Sequence, residues 1–232
     1  MSKVILFDID GTLVFTGGAG RRAMSRAFED LFRIPDAFCD VPFAGRTDAW
    51  IVAETLAAHG LTCDAEVRAR FRDVYVAHLA AELDKPSSGK RVMPGVPALL
   101  DALAGHPHVH VALLTGNYQQ GARLKLEHFD LWRCFACGAF GDEAHDRNGL
   151  VPEALACIRA SGGPDVGPSD AIVVGDTPLD IACAAAVGAR SVTVATGGYD
   201  ADTLRASGAD CVFEDLSDTV AVLSALLIPE GS

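Results

Sequence analysis

No apolar run in the 232 residues approaches the roughly 20 needed to cross a bilayer, so a membrane-spanning helix is not expected. Basic residues are also scarce: 19 Lys and Arg stand against 31 Asp and Glu, for a formal charge of −12. A field of that sign repels nucleic acid and anionic membrane surfaces, and neither is an expected partner. A phosphorylated partner would need local positive charge, from a metal ion or a few placed basic side chains. Aromatic residues make up only 7% of the chain, and the abundance of small and aliphatic residues suits helices packed on a parallel sheet. The short apolar run that ends at Asp8 lacks the length and cleavage site of a signal peptide. The seven cysteines (Cys39, Cys63, Cys134, Cys137, Cys157, Cys183 and Cys211) are scattered and odd in number, so reduced thiols in a cytoplasmic protein are expected. Cys134 and Cys137 form one CxxC without a second pair, and no histidine follows at ligand spacing; partly buried thiols are expected there rather than zinc. Repeats and low-complexity tracts are absent.

What is present is a rhythm of strand-like runs with helical patterns between them. Residues 4–7, 109–114, 136–140, 171–174 and 191–195 read as strands, with 211–213 a short edge strand. Residues 97–104, 118–128, 152–160, 179–187 and 217–227 read as helices. Pro178 suits a first helical turn, and Gly188 suits a helix end. Between residues 15 and 90 the rhythm breaks: 19–32, 48–59 and 65–83 show helical spacing with no strand between them. Glycine-rich residues 16–20 and turn-forming residues 85–90 flank this block as linkers or hinges. The expected fold class is α/β. A parallel sheet core with helices on both faces, residues 1–14 and 91–232, carries a helical insert over 15–90.

Chemistry concentrates at strand ends. In Phe7-Asp8-Ile9-Asp10-Gly11-Thr12, side chains two apart on an extended strand share a face. Asp8 and Asp10 are thereby brought together at the C-terminal end of a strand, where parallel sheets bind ligands. Two such anions at ~4 Å repel by about 4 kcal/mol at an effective dielectric near 20, which a divalent cation would offset. A strand end followed by an Asp-Gly turn is the plainer alternative. Gly175-Asp176-Thr177-Pro178-Leu179-Asp180 repeats the theme, with Asp180 one helical turn on. Asp180 also has a plain explanation, as an acid that complements the helix dipole. Thr115-Gly116-Asn117 places a hydroxyl and free amides before a helix, which makes either an anion site or an ordinary N-cap.

Taken together, these motifs resemble the haloacid dehalogenase superfamily of aspartate-nucleophile phosphohydrolases over nearly the whole chain. The sequence is most similar to the phosphoglycolate phosphatase-like branch, whose Rossmann-like core carries an α-helical cap after the first strand. The resemblance implies a Mg2+-dependent phosphatase acting on a small phosphorylated metabolite, phosphoglycolate-like or a sugar phosphate. It assigns Asp8 as nucleophile and Asp10 as general acid, then base, with its backbone carbonyl reaching the magnesium. Asp176 and Asp180 complete the metal set; Thr115 and the Gly116 and Asn117 amides hold the phosphoryl oxygens.

The match departs from the family at one point. The family places a lysine before the fourth strand, and residues 141–152 contain none; Arg147 is the substitute, with a solvent-facing loop arginine as the alternative. In the insert, Arg46 of Gly45-Arg46-Thr47-Asp48 is expected to contact the substrate, while Thr47 and Asp48 read as an N-cap and a dipole-favoured acid. Arg21 and Arg22, at a helix start, hint at an anionic neighbour. Lys125 reads as part of a solvated helix face. Rival readings are a phosphosugar mutase on the same scaffold, a haloacid dehalogenase, and a receiver module phosphorylated on aspartate; the last lacks the second acid and the insert.

Overall fold

The computed structural model describes residues 2–144 and 146–227. In chain order, β1 (Lys3–Phe7) and β2 (Val14–Thr16) precede the helices α1 (Ala19–Phe32), α2 (Asp48–Ala58) and α3 (Ala65–Asp84), and β3 (Lys90–Val92) follows them. Then come α4 (Val96–Ala104), β4 (Val109–Leu114), α5 (Gln119–His128), β5 (Gly138–Ala139) and α6 (Leu150–Ala160). The chain continues through β6 (Ala171–Gly175), α7 (Pro178–Val187), β7 (Arg190–Val194), α8 (Ala201–Ala206), β8 (Cys211–Phe213) and α9 (Thr219–Leu227).

Six strands form one parallel sheet in the order β5-β4-β1-β6-β7-β8. After Lys3, β1 is apolar from Val4 to Phe7 because both its faces are covered. Ile5 and Phe7 pack with Leu99, Leu103, Leu126 and Val222 on one face. Val4 and Leu6 pack with Leu150, Ile158 and Cys183 on the other. Side-chain alternation along one strand therefore feeds two cores, and the α/β expectation holds. Among the described residues no helix is long and apolar enough to cross a membrane.

The insert has a core of its own. Met24, Phe28, Phe38, Leu56, Phe71 and Tyr75 are buried together, and α1 packs along α3. The sequence reading missed how this block is attached: β2 and β3 pair antiparallel, Val14 opposite Val92, so the chain leaves and returns through one ribbon. Gly17 and Gly18, just past β2, take φ of 63° and 79°, a left-handed bend that side chains rarely tolerate. Beside the ribbon, buried Glu82 gathers Arg22 at 2.7 Å, Arg26 at 3.3 Å and Lys85 at 2.5 Å. Burial pushes its carboxyl up, but the Lys85 and Arg22 hydrogen bonds outweigh this and hold it at about 2. Glu82 is thus the anion beside Arg22.

Two other differences have local causes. The strand expected over 136–140 shrinks to Gly138–Ala139, because the preceding residues turn in a 3₁₀ loop closed by the Phe135 N–H on the Trp132 carbonyl. The short helix α8 was not expected; Asp200 caps it, accepting from the Thr203 N–H. By contrast α7 starts and stops as read, with Pro178 at its first turn and Gly188 at φ 75° at its end.

Candidate active site

β1 lies between β4 and β6, so the residues that follow these three strands meet on one rim. Asp8, Thr115 and Asp176 are each the first residue past their strand. The backbone holds them there: the Asp8 N–H donates to the Val174 carbonyl at 2.9 Å, and the Thr115 N–H to Ala139 at 3.1 Å.

Asp180 joins them from the first turn of α7. Its Oδ2 accepts from the N–H and the hydroxyl of Thr177, the helix cap, at 3.0 and 2.7 Å. Asp180 does lie in the dipole-favoured first turn, and it joins the helix cap through one oxygen, which leaves the other for the site. Carboxylate oxygens of Asp8, Asp176 and Asp180 lie within 4.8 Å of one another, and all three residues are buried. Asp176 sits in a glycine cradle. A β-carbon at Gly11 or Gly197 would stand 2.4 or 1.7 Å from its Oδ2, closer than atoms can approach.

Arg147 faces this cluster. It is buried, with Nη2 2.6 Å from Asp180 Oδ1, 3.2 Å from Asp8 Oδ1 and donating to the Leu114 carbonyl at 3.1 Å. The solvent-facing alternative for Arg147 does not hold. One guanidinium against three buried carboxylates still leaves excess negative charge. Burial pushes Asp8 up to about 6, with Asp180 and Asp10 adding and Arg147 opposing. Burial, then Asp180 and Asp8, push Asp176 well above the usual carboxylate range. Three convergent oxygen donors with uncompensated charge are what a hard divalent cation requires, so the residues fit such an ion.

Asp10 turns away from the three acids. Its Oδ2 accepts from Asn117 Nδ2 at 2.9 Å and Lys125 Nζ at 2.5 Å. Its carboxylate is thus outside the cluster, and only the backbone carbonyl remains for the ligand role that the resemblance assigns. Thr115 is not the cap of α5; Tyr118 occupies that position. Instead the Thr115 hydroxyl oxygen accepts from Asn117 Nδ2 at 2.7 Å, which joins Thr115, Asn117 and Asp10.

The reading of Lys125 as a solvated residue is overturned. Lys125 is 4% exposed, and its Nζ also donates to Asn117 Oδ1 at 2.5 Å. A signal existed in the sequence: Gly121, Ala122, Lys125 and Leu126 share the buried side of α5, and a lysine inside that stripe needs a buried partner.

Asp48 was also underestimated. Thr47 does cap α2, accepting from the Trp50 N–H at 3.1 Å, and it donates to the Ala144 carbonyl. Asp48, however, is buried and reaches across to the sheet's loop. Its Oδ2 accepts from the Tyr118 N–H at 2.8 Å, and its own N–H donates to the Gly116 carbonyl at 2.7 Å. Burial raises its carboxyl to about 7, against the attraction of Lys125. Gly116 admits the insert closely, since a β-carbon there would lie 2.2 Å from the Arg46 carbonyl. The Arg46 side chain is exposed, laid 4.4 Å over the Trp50 ring.

A cavity of about 490 Å³ lies between insert and sheet. Asp8, Asp10, Thr115, Arg147 and Asp176 form its floor, and Met24, Phe43, Ile51 and Tyr75 an apolar roof. Arg21, Arg46 and Arg91 border it, each laid over an aromatic ring. Arg21 is also tied to the Phe38 carbonyl at 2.9 Å, which fixes it without any anion.

Comparison with known proteins agrees with this geometry. A family model for haloacid dehalogenase-like hydrolases matches residues 2–188. A phosphoglycolate phosphatase from Rhodospirillum rubrum is 32% identical over 94% of this chain and 89% of its own length. Among solved structures, CbbY from Rhodobacter sphaeroides in complex with phosphate aligns with TM-score 0.69 at 20% identity, over 94% of this chain and 96% of that one. A β-phosphoglucomutase from Clostridium difficile aligns with TM-score 0.68 at 17% identity, over 94% and 92%. At such identities the two structures speak for the fold.

Proposed function

Because this chain belongs to the haloacid dehalogenase-like hydrolases and hydrolyses phosphate esters, we propose that it does so with the carboxylate of Asp8 as nucleophile and Mg2+ in the acid cluster. The observation that carries this reading is the convergence of Asp8 and Asp176, at the ends of adjacent strands, with Asp180 from the first turn of α7, beside a cavity that Thr115 and Asn117 also line. Asp176, Asp180, Asp8 and the Asp10 backbone carbonyl would hold the ion. When bound, Mg2+ supplies positive charge that keeps Asp8 ionised beside an anionic ester.

In the first step an oxygen of Asp8 bonds to phosphorus, the bond to the leaving oxygen breaks, and Asp10 gives that oxygen its proton. In the second, Asp10 takes a proton from water, water oxygen bonds to phosphorus, and Asp8 is released with inorganic phosphate. Such transfers depend chiefly on positioning and neutralised charge. Thr115, the Gly116 and Asn117 amides and Arg147 would hold the phosphoryl oxygens, and the guanidinium fork suits that role better than a lysine.

The insert acts as a cap, and the substrate is a compact phosphomonoester of a small metabolite, phosphoglycolate or a sugar phosphate, with Arg46 at its far end. The named activity of the Rhodospirillum rubrum relative supports this class, as does a cavity of about 490 Å³. The mutase alternative finds support only at the level of fold. A panel of phosphorylated metabolites, assayed for free phosphate with Mg2+ and with chelator, tests the proposal. Phosphate release that needs the metal is expected. Conversion to an isomer without phosphate release would replace hydrolysis by mutase chemistry.

A further inference from the structure

A lysine buried in the last turn of α5 has one plain explanation, since cations suit helix C-termini. Its side chain does something further. Helical side chains lean toward the N-terminus of their helix, and Lys125 runs back that way to the loop where Asn117 and Asp10 meet. Both donors that reach the Asp10 carboxylate, Lys125 Nζ at 2.5 Å and Asn117 Nδ2 at 2.9 Å, land on the same oxygen, Oδ2. Asn117 is itself held by Lys125 at its Oδ1 and by Thr115 through its Nδ2. Oδ1 of Asp10 has no hydrogen bond among the described residues, and the Asp10 side chain is 43% exposed, where it borders the cavity.

We propose that Lys125 is a positioning residue that fixes the orientation of Asp10, clamping Oδ2 together with Asn117 so that Oδ1 alone faces the leaving oxygen and, later, the hydrolytic water. The inference rests on the role given above to Asp10. A carboxylate 43% exposed would otherwise rotate freely, and proton transfer is efficient only within hydrogen-bonding reach. Lys125 thus acts through Asp10 and touches neither phosphorus nor the acid cluster.

The test exploits leaving groups that differ in their need for a proton. Lys125→Met and Lys125→Gln are compared with wild type on p-nitrophenyl phosphate, whose phenolate departs readily, and on an alkyl phosphate that requires protonation. Thermal melts accompany each variant, and Lys125→Gln keeps a donor for Oδ2 should Lys125→Met fold poorly. Lys125→Met should lower kcat/KM about 10²-fold or more for the alkyl ester and at least ten times less for the aryl ester. Lys125→Gln should fall between. In Asp10→Asn the same lysine substitution should add little, as expected for two residues acting as one unit. Equal losses on both esters, or wild-type rates on the alkyl ester, would overturn the positioning role. Failure of wild type to hydrolyse either ester with Mg2+ would instead overturn the assigned reaction, so the two failures are distinguishable.

Discussion

Two carboxylates two residues apart, Asp8 and Asp10, end in opposite surroundings. Asp8 is buried against Arg147 and two further acids, while Asp10 is partly open and held by two donors. That contrast is what a nucleophile and a proton carrier require of side chains with the same intrinsic acidity. Asp8→Asn should abolish turnover and keep the fold, and Asp10→Asn should slow turnover by at least about 10²-fold. Steady-state assays beside circular dichroism check both, and wild-type rates in either variant would contradict the roles. Asp48 gives a pH prediction. Its carboxyl rises from the ordinary 3.8 to about 7 on folding, so between those values the folded state binds more protons than the unfolded state. Stability therefore declines as pH rises through that window, by up to about 4 kcal/mol. Asn at this position keeps an acceptor for the Tyr118 N–H without a buried charge. Asp48→Asn should raise the Tm at pH 8 more than at pH 5; an equal shift at both would remove burial of charge as the cause.

At the scale of elements, the strand-helix alternation was legible because the central strands β1 and β6 are short, mostly apolar runs ended by an acid, Asp8 and Asp176, and helical spacing follows or separates the strand-like runs. Asp8 and Asp176 were legible together because strand ends in a parallel sheet share a rim, and Asp180 because it lies in the first turn of the helix that follows. What sequence spacing does not encode is contact between distant segments. The burial of Lys125 depends on Asp10 lying under α5, and that of Asp48 on the insert folding back over the 116–118 loop. The β2–β3 ribbon escaped notice because its strands are three residues each and 73 residues separate their partners at one end, Lys90 opposite Thr16 and Val92 opposite Val14 marking its limits. Insert and sheet meet closely at glycine. At Gly45 the backbone has φ 70°, and a β-carbon would lie 2.6 Å from the Thr177 hydroxyl and 2.9 Å from Leu179 Cβ. Gly45→Ala should lower the Tm and raise KM for the ester by holding this loop off α7, as read by melts and initial rates. Unchanged values of both would show that the loop is not seated there.

Across the whole molecule, a charge of −12 opposes the approach of an anionic ester, and the chain answers with basic groups placed locally. Arg147 and Lys125 sit in the floor of the cavity, while Arg21, Arg46 and Arg91 border it. A cation in the acid cluster would couple metal, protons and stability. With Asp8 raised to about 6 and Asp176 well above the ordinary range, the metal-free fold loses stability as pH rises through those values. A cation binds the deprotonated form, so it must displace protons at low pH and finds them gone at high pH. Mg2+ should raise the Tm more at pH 8 than at pH 5, by about 2.7 kcal/mol of stability at 100 times its Kd. Asp176→Asn should lessen that gain, and an undiminished gain in this variant would place the ion elsewhere.

The most direct measurement is a rapid acid quench during turnover of a phosphomonoester with Mg2+, followed by peptide mapping for a phosphoryl adduct. The adduct should lie on the peptide that contains Asp8, vanish in Asp8→Asn, and fail to form when the metal is chelated. An adduct on any other residue, or full hydrolysis by Asp8→Asn, would contradict the account.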